Sequence, residues 1–449
     1  MRVALHTLGC KLNLSETSSI GHGLVQNGHT LVSLTDPADV IVVNTCSVTE
    51  SADAECEKII RRGRRASPDA RVIVTGCHAQ LHPERVASIE GVDAVVGTEK
   101  KHEIPTLVAN ITSFGGPVVL VDEIDKTTEF RPTRTYQTTS QTRVFFKIQD
   151  GCNYTCSFCT IPMARGTARA MALADIEAEL LAIAKEGYPE VVLSGINLGE
   201  YRGSNDERFI DVLRLIDSAS RPFRVRISSI EPNTLTGAVI EHIAQSPHIV
   251  PHLHVPLQSG SDHILRGMRR RYNTGMYAST IHLVHQLMPD AAIGIDVITG
   301  FPGETESRFH ETLDFLQSLP FSYLHVFTYS ERPGTPASAY EGAVPIVERR
   351  HRTRVLRALS EQRTREFHER MVGTQRMFIP EGYNAQLGTW SGWTENHISC
   401  ELPAPSTLLK KPYTVVCHQV SGEVVRVQPL EELVLNRNIL PILSTPVTT

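Results

Sequence analysis

The stretch "VFFKIQDGCNYTCSFCT", from Val144 to Thr160, decides the fold because it joins an apolar strand to three closely spaced cysteines. Cys152, Cys156 and Cys159 have the spacing Cys-x3-Cys-x2-Cys. A structural zinc site usually takes four Cys or His ligands, commonly as paired knuckles, and no second knuckle follows in the sequence. A [4Fe-4S] cluster held by three thiolates would leave one iron open for another ligand. The spacing therefore favours an iron-sulfur cluster over zinc.

Strands and helices alternate after this stretch. Five further β-prone segments follow, separated by helical patterns: "EVVLSG", "RVRISS", "HLHVPL", "AIGIDVITG" and "YLHVFTY". Six such steps form either a wide open sheet or an incomplete barrel with its active face at the carboxyl ends of the strands.

The first 112 residues show another alternating series, which predicts a doubly wound parallel sheet. A cysteine follows each of the strands "RVALHTL", "VIVVNT" and "RVIVTG", namely Cys10, Cys46 and Cys77. Because ligands bind where parallel strands end, we expect these cysteines to converge on one site. The alternative is three separately buried small side chains, since free cysteine is often buried. Cys56 lies inside a helical segment and is interpreted as structural.

The remaining sequence completes an α/β protein of several domains. Residues 113–141 are polar and are predicted to be a linker. An arginine-rich helix is expected over about 345–371, and the tail that follows has short, turn-separated, β-branched segments typical of a small antiparallel β-barrel. Cys400 and Cys417 are expected in the core of that barrel. The predicted units are 1–112, 113–141, 142–371 and 372–440.

Composition and charge limit the class of protein. The 449 residues are 41% hydrophobic and 21% charged, as in folded globular chains. A net charge of −5 argues against binding nucleic acid through the whole surface but permits local basic patches. No apolar run has membrane length and the N-terminus lacks a leader pattern, so we expect no membrane and a cytoplasmic location. In a reducing compartment, nine cysteines indicate metal binding or catalysis.

The cysteine spacing, placed after the first of six strands, resembles the radical S-adenosylmethionine (SAM) superfamily. Several segments resemble one branch, the methylthiotransferases that modify the adenosine beside a tRNA anticodon: "TLGCKLN", "VTGCHAQ", "LSGINLGEY", "HVPLQSGSDHILRGMRRRY" and "GIDVITGFPGET". The resemblance covers nearly the whole chain. It implies an N-terminal methylthiotransferase domain, a partial (β/α)6 barrel of the radical SAM type and a TRAM-like C-terminal barrel that binds RNA.

The resemblance also implies two [4Fe-4S] clusters. Cys152, Cys156 and Cys159 match the ligands of the radical cluster, whose open iron binds SAM. The dispersed set of Cys10, Cys46 and Cys77 matches an auxiliary cluster that supplies or relays sulfur. Two molecules of SAM are expected per turnover, one donating a methyl group and one yielding a 5'-deoxyadenosyl radical, since an aromatic C–H bond resists ordinary acid-base chemistry.

Further site residues are implied by position. The expected contacts of SAM are Phe158, Ser194, Gly195, Ser229, Glu231, Gln258 and Asp296. For each of them the alternative is a satisfied polar or core residue of the barrel mouth. Arg165 and Arg169 are predicted to bind a carboxylate of cofactor or substrate, because a planar guanidinium makes bidentate bonds. No acid or base catalyst is assigned.

The motifs "GCKLN", "NTCSVTESAD" and "GWTENHI" resemble the group that acts on N6-threonylcarbamoyladenosine at tRNA position 37, giving its 2-methylthio derivative. The expected partners of a monomer are a tRNA anticodon stem-loop, an electron donor and a sulfur source. Four arginines are expected to contact tRNA phosphates: Arg349, Arg350, Arg352 and Arg354. Three alternatives stay open: methylthiolation of N6-isopentenyladenosine 37, a non-catalytic iron-sulfur carrier, and a non-catalytic RNA-binding protein.

Overall fold

The computed structural model describes residues 1–47, 50–109, 116–124, 129–136 and 142–435, without the side chains of 50–53. Parts of four predicted features lie outside these residues. They are residues 110–112 of the N-terminal domain, stretches of the linker over 113–141, Val48 and Thr49 of "NTCSVTESAD", and residues 436–440 of the C-terminal domain.

Six parallel strands form the N-terminal sheet, with helices on both faces. Across the sheet their order is Thr30–Val32, Arg2–Thr7, Val40–Thr45, Arg71–Gly76, Ala94–Val96 and Val118–Leu120. Ile41 and Val43 pack into one core while Val40 and Val42 pack into another, so the central strand is buried on both sides. The helices are Lys11–Gln26, Glu50–Ala66, Cys77–Leu81, Pro83–Ala87 and Ile104–Ala109. The predicted doubly wound parallel sheet is confirmed.

The segment predicted as a linker carries two short strands. Val118–Leu120 pairs with Ala94–Val96 in the N-terminal sheet, and Thr133–Arg134 pairs antiparallel with the strand Arg143–Lys147. Strands of three and two residues are too short for an alternating pattern to reveal them. We therefore propose that the N-terminal domain extends to about Leu120 and does not end at residue 112.

Six parallel strands curve into an open barrel. In order they are Arg143–Lys147, Glu190–Ser194, Arg224–Ile227, His252–His254, Ala292–Thr299 and Tyr323–Thr328. Two single bridges, Val225 to Ile249 and Ser229 to His254, join the first three strands to the last three. The helices of this region are Ile161–Arg165, Leu173–Glu186, Phe209–Asp217, Gly237–Gln245, Asp262–Gly267, Thr274–Leu287 and Glu306–Ser318. The predicted partial barrel is confirmed.

Local sequence sets the ends of several outer helices. Thr236, Asn273 and Thr305 each accept a hydrogen bond from a backbone N–H of the first helical turn. Gly187, at φ +78°, ends the helix Leu173–Glu186 in the left-handed region. These residues therefore mark where the outer helices begin and where one of them ends.

A closed five-stranded barrel follows the open one. Its strands are Gln375–Asn384, Thr389–Thr394, Ser399–Pro403, Tyr413–Ser421 and Val424–Pro429. All pairings are antiparallel except one parallel contact between Ser399–Pro403 and Val424–Pro429. Cys400 and Cys417 lie in its core, as predicted. Arg143 of the open barrel pairs with Glu381 of the closed barrel at 2.7 Å.

The helix Ile346–Met371 packs against the last strand of the open barrel. Arg349 and Arg352 are buried in ion pairs with Glu331 and Glu304, so the prediction that these two contact tRNA is wrong. Their charges are paired with carboxylates inside the protein because the helix packs that face against the barrel. Among the described residues, none of the helices combines the length and the apolar character needed to cross a membrane.

Candidate active site

Three cysteines, Cys152, Cys156 and Cys159, lie on one loop after the first strand of the open barrel. Gly151 turns the chain at φ +68°, and a Cβ there would lie 2.0 Å from the carbonyl oxygen of Thr167. Only glycine fits this close approach. The loop geometry therefore depends on the residue directly before the first cysteine.

Each sulfur of this loop accepts one hydrogen bond. The donors are the backbone N–H of Tyr154 to Cys152 (3.4 Å), the backbone N–H of Ile161 to Cys159 (3.5 Å) and the guanidinium of Arg270 to Cys156 (3.0 Å). Donors aimed at sulfur stabilise a thiolate over a thiol. This is the environment that metal-bound cysteines require.

The donor set fits an iron-sulfur cluster better than a single ion. Burial raises the pKa of the Cys152 and Cys159 thiols to about 12, so a metal must displace their protons at neutral pH. Among the described residues, no three cysteine sulfurs all lie within 4.8 Å of one another. Zinc, with Zn–S bonds of about 2.3 Å, needs closer sulfurs, whereas a cubane holds its ligands on separate corners.

The dispersed cysteines meet at the carboxyl edge of the N-terminal sheet. A Cβ at Gly9 would lie 2.5 Å from Cys46 Cβ and 2.8 Å from its Sγ, which puts the loop of Cys10 against Cys46. Although Cys10 is exposed, desolvation by the surrounding protein raises the pKa of its thiol, and Cys77 is one of the groups that act on it electrostatically. The structure thus brings the three residues together as expected, and their role as cluster ligands stays a prediction.

Arg165 joins the two cysteine sets. It ends the helix Ile161–Arg165, which begins two residues after Cys159 and packs against the helix Cys77–Leu81. A helix of five residues is about 7.5 Å long, so both sets face one interior region. Although burial opposes the charge, Glu16 and Cys77 raise the pKa of Arg165 well above its usual value.

The contacts of Arg165 differ from the predicted substrate role. Its Nη1 donates to Glu16 Oε1 at 2.8 Å and to Asp150 Oδ1 at 3.1 Å, and its Nη2 donates to Asn13 Oδ1 at 2.9 Å. The side chain is fully buried. We therefore assign Arg165 to the contact between the N-terminal domain and the barrel, because two protein carboxylates occupy its guanidinium.

Arg169 is also held by the protein. Its Nη2 lies 2.7 Å from Glu99 Oε1, and its Nη1 donates to the carbonyl oxygen of Arg165 at 2.6 Å. Glu99 comes from the N-terminal domain, so Arg169 adds a second ion pair across the same contact. We do not retain it as a substrate ligand.

Three of the predicted SAM contacts line one cavity beside the cysteine loop. Phe158, Gln258 and Asp296 surround a space of about 220 Å³ together with Cys159. Phe158 packs edge-to-face on Phe301 with ring centroids 6.4 Å apart. Gln258, which lines this cavity, has φ +69°, a strained value for a residue with a side chain. The cavity is a candidate site for part of the cofactor.

The other predicted contacts lie around this region in different settings. Ser194 is buried and donates to the carbonyl oxygen of Val192 at 3.3 Å. Gly195 lies against Gln149, whose Oε1 would be 3.0 Å from a Cβ at that position. Ser229 forms a bridge with His254. The hydroxyl of Ser194 is thus already satisfied.

Two residues near the cysteine loop were not predicted. Arg270 bridges Glu231 and Cys156, so Glu231 acts on the loop through a guanidinium. Asn197 is buried, and within the described part of the chain its side-chain amide has no hydrogen-bond partner. Such an unsatisfied amide is rare in a protein interior and suits a polar ligand. Asn197 could have been found from the sequence by its position just after the second barrel strand, in "LSGINLGEY".

Histidines and a carboxylate line the interior of the open barrel. Asp296 Oδ1 accepts hydrogen bonds from His254 Nε2 at 2.7 Å and His325 Nδ1 at 3.2 Å. Although burial favours the neutral acid, these bonds hold the pKa of Asp296 well below its usual value. Toward the closed barrel, the ring of His397 stacks on the ring of Trp393 with centroids 4.5 Å apart. Its centroid lies 4.2 Å from that of His252. The interior is therefore polar and aromatic, as a nucleoside site requires.

Comparisons with known proteins agree with this geometry. Residues 2–97 match an uncharacterized protein family, UPF0004, and residues 146–316 match the radical SAM superfamily. The chain is 37% identical to the threonylcarbamoyladenosine tRNA methylthiotransferase MtaB of Bacillus subtilis, over 91% of this chain and 92% of that protein. The chain belongs to the radical SAM tRNA methylthiotransferase family. Its cofactors are accordingly SAM and [4Fe-4S] clusters, which the two cysteine sets fit.

Other relatives of this methylthiotransferase carry two kinds of name. MtaB of Thermotoga maritima is 33% identical over 89% of this chain and 91% of its own. The tRNA-2-methylthio-N(6)-dimethylallyladenosine synthase of Thermobifida fusca is 35% identical over 84% and 78%. A solved radical SAM methyltransferase, TsrM from Kitasatospora setae, has TM-score 0.56 at 16% identity, over 75% of each chain, and shares the fold.

Proposed function

We propose that the protein methylthiolates C2 of N6-threonylcarbamoyladenosine at position 37 of tRNA. The support is its likeness to threonylcarbamoyladenosine tRNA methylthiotransferases from four bacteria, at 32–37% identity over about nine tenths of each chain. The observation that carries the mechanism is the meeting of two three-cysteine sets across the helix Ile161–Arg165.

The two sets have different tasks. Cys152, Cys156 and Cys159 hold the cluster that binds SAM, and Cys10, Cys46 and Cys77 hold the auxiliary cluster. When bound, these groups supply the radical, the sulfur and the methyl group that replace hydrogen on the adenine ring. Arg270 donates a hydrogen bond to the sulfur of Cys156, and the buried contacts of Arg165 join the elements that carry the two sets.

The partners follow from this reaction. The closed barrel binds the anticodon stem-loop together with the exposed Arg350, Arg354 and Arg357, which share one helix face by their spacing. The two clusters would also need an external electron donor and an external source of sulfur. The protein works as a monomer in the cytoplasm.

Mass analysis of tRNA nucleosides from cells with and without this protein tests the proposal. We expect the 2-methylthio derivative of threonylcarbamoyladenosine to disappear without the protein while its unmodified parent accumulates. Loss of the derivative of isopentenyladenosine alone would move the substrate to that nucleoside. No change in either would favour a carrier or a non-catalytic RNA-binding protein.

A further inference from the structure

A row of aromatic side chains runs along the last strand of the open barrel. Tyr323, His325 and Phe327 share one face of this strand, while Leu324 and Val326 between them are buried in the core. The exposed fraction is 40% for Phe327 and 51% for the side chain of His325. A contiguous row of exposed rings indicates a surface that binds a partner or a ligand.

The aromatic row joins two cavities. At one end, Phe327 lines the cavity beside Cys159 that is described above as a candidate site for part of the cofactor. At the other end, Tyr323 and His325 line a groove of about 800 Å³ between the open barrel, the helix Ile346–Met371 and the closed barrel. Successive members of the row are two residues apart, which is about 7 Å along a strand. The groove therefore begins close to the cavity beside the radical cluster.

The far wall of the groove is an aromatic shelf formed by Trp393 and His397 of the closed barrel. Their rings are nearly parallel, with an interplanar angle of 15° and centroids 4.5 Å apart. The centroid of the His397 ring lies 5.6 Å from that of Tyr323, so the shelf continues the aromatic row. Both side chains of the shelf are half-buried, and each keeps an accessible surface on which a flat ring can stack.

The turn that carries the aromatic shelf is held in place by its own polar residues. The hydroxyl of Thr394 donates to Asn396 Oδ1 at 2.8 Å and accepts from the backbone N–H of Ile398 at 2.9 Å. The amide nitrogen of Asn396 donates to the carbonyl oxygen of Asp290 at 3.0 Å, which ties the turn to the open barrel. His397 has φ +61°, a strained value that this turn maintains. The shelf is thus ordered before a ligand binds, which lowers the entropic cost of binding.

The charges near the aromatic row favour phosphates in one place and a base in another. The long helix runs beside the row, and the hydroxyls of Thr353 and Thr328 lie 2.8 Å apart. The exposed Arg354 and Arg357 follow Thr353 within about one helical turn, where cations suit phosphates. Among the described residues that line the groove, carboxylates outnumber arginines: Glu361, Glu369 and Glu423 against Arg365. The groove itself therefore suits an uncharged base rather than a phosphate.

We propose that the groove binds the base of a nucleotide that directly flanks the target nucleoside, stacked on the rings of Trp393 and His397. This inference rests on the proposed function, because its ligand belongs to the RNA loop that the proposed function brings to the barrel. An enzyme that acts on one base of an RNA turns that base out of its stack, and the neighbouring base loses a stacking partner. Aromatic side chains, histidine included, hold such unstacked bases. The aromatic shelf replaces the stacking that the neighbour has lost.

Anticodon stem-loops with single abasic positions test the stacking. Each RNA carries threonylcarbamoyladenosine, and the base is removed from the nucleotide on its 5' side in one RNA and on its 3' side in another. We expect removal of one of these two bases to weaken binding to wild-type protein about 5- to 150-fold, the range for one stacked base. Fluorescence anisotropy at constant salt concentration measures the affinity. Full affinity for both abasic RNAs would overturn the proposal.

Variants of the aromatic shelf locate the effect. In W393A, removal of the same base should weaken binding less than about twofold, because the ring on which it stacks is already gone, and W393F should restore most of the effect. The matched control is Y383A, which removes a half-buried ring of the closed barrel outside the groove and should show the full wild-type effect. A W393A protein that loses as much affinity as wild type would refute the role of the shelf. Thermal unfolding is measured on every variant, and H397N replaces W393A if that variant is unfolded, since Asn tolerates a positive φ.

Product formation distinguishes this inference from the function on which it rests. If wild type forms no methylthio product from the intact RNA, the proposed function fails. If wild type forms the product and binds both abasic RNAs as tightly as the intact RNA, only the stacking site fails.

Discussion

The Nη1 atom of Arg165 lies 2.8 Å from the Oε1 atom of Glu16, and this buried ion pair joins the N-terminal domain to the open barrel. Lys101 and Lys147 also face Glu16. Although burial alone would raise it, these positive charges hold the pKa of Glu16 well below its usual value. The two cysteine sets therefore meet across a contact whose charged side chains are largely buried.

Removing the carboxylate of Glu16 should destabilise this contact. We expect E16Q to lower the free energy of unfolding by about 3–5 kcal/mol, because the buried charge of Arg165 loses one of its carboxylate partners. Urea denaturation followed by circular dichroism measures this. E57Q removes a surface partner of Arg61 and should cost less than about 1 kcal/mol. Equal effects of the two variants would contradict the assignment.

Gly9 should be essential for the auxiliary cluster. G9A would place a methyl group 2.5 Å from Cys46 Cβ at a φ of +97°, so the cysteines must separate. We expect the iron content of reconstituted protein to fall from about eight to about four atoms per chain, since the radical cluster is untouched. G28A has a similar φ of +79°, and apart from its chain neighbours none of the described residues lies within 4 Å of the added Cβ, so this variant should keep all its iron. Full iron in G9A would argue against this site.

Arg270 should raise the reduction potential of the radical cluster. Its positive charge and its hydrogen bond to Cys156 favour the reduced, more negative cluster. We therefore expect R270Q to lower the reduction potential by up to about 100 mV, measured by redox titration with electron paramagnetic resonance. R271Q removes an equal charge whose Nη2 bonds the carbonyl oxygen of Asn153, and it should shift the potential less. A larger shift in R271Q would mean that the bond to sulfur has no special effect.

The exposed arginines of the long helix should contribute to tRNA binding. Replacing Arg350, Arg354 and Arg357 by Gln should weaken tRNA binding. The slope of log binding constant against log salt concentration should become smaller by the contribution of about three phosphate contacts. Fluorescence anisotropy at several salt concentrations gives that slope. Arg214, exposed on the helix Phe209–Asp217, provides a single-site control. An unchanged slope in the triple variant would place the tRNA elsewhere.

Sequence patterns predicted the strands and helices better than they predicted the hydrogen-bond and ion-pair partners of single side chains. The alternation of apolar strands and helices was strong enough to give both sheets, and the cysteines followed from where strands end. The role of Arg165 could not be predicted, because its partner Glu16 is distant in sequence and its partner Asp150 lies in a strand of only two residues. Arg349 and Arg352 looked like surface charges for the same reason, since only folding shows which helix face is covered.

The most direct test of the account uses purified protein with both clusters reconstituted, SAM, a reductant and tRNA that carries threonylcarbamoyladenosine. We predict the 2-methylthio nucleoside from wild type. C77A should still cleave SAM but form no such product, and C152A should do neither. Methylthiolation by C77A, or SAM cleavage by C152A, would contradict the central claim that two separate cysteine sets divide the reaction between them.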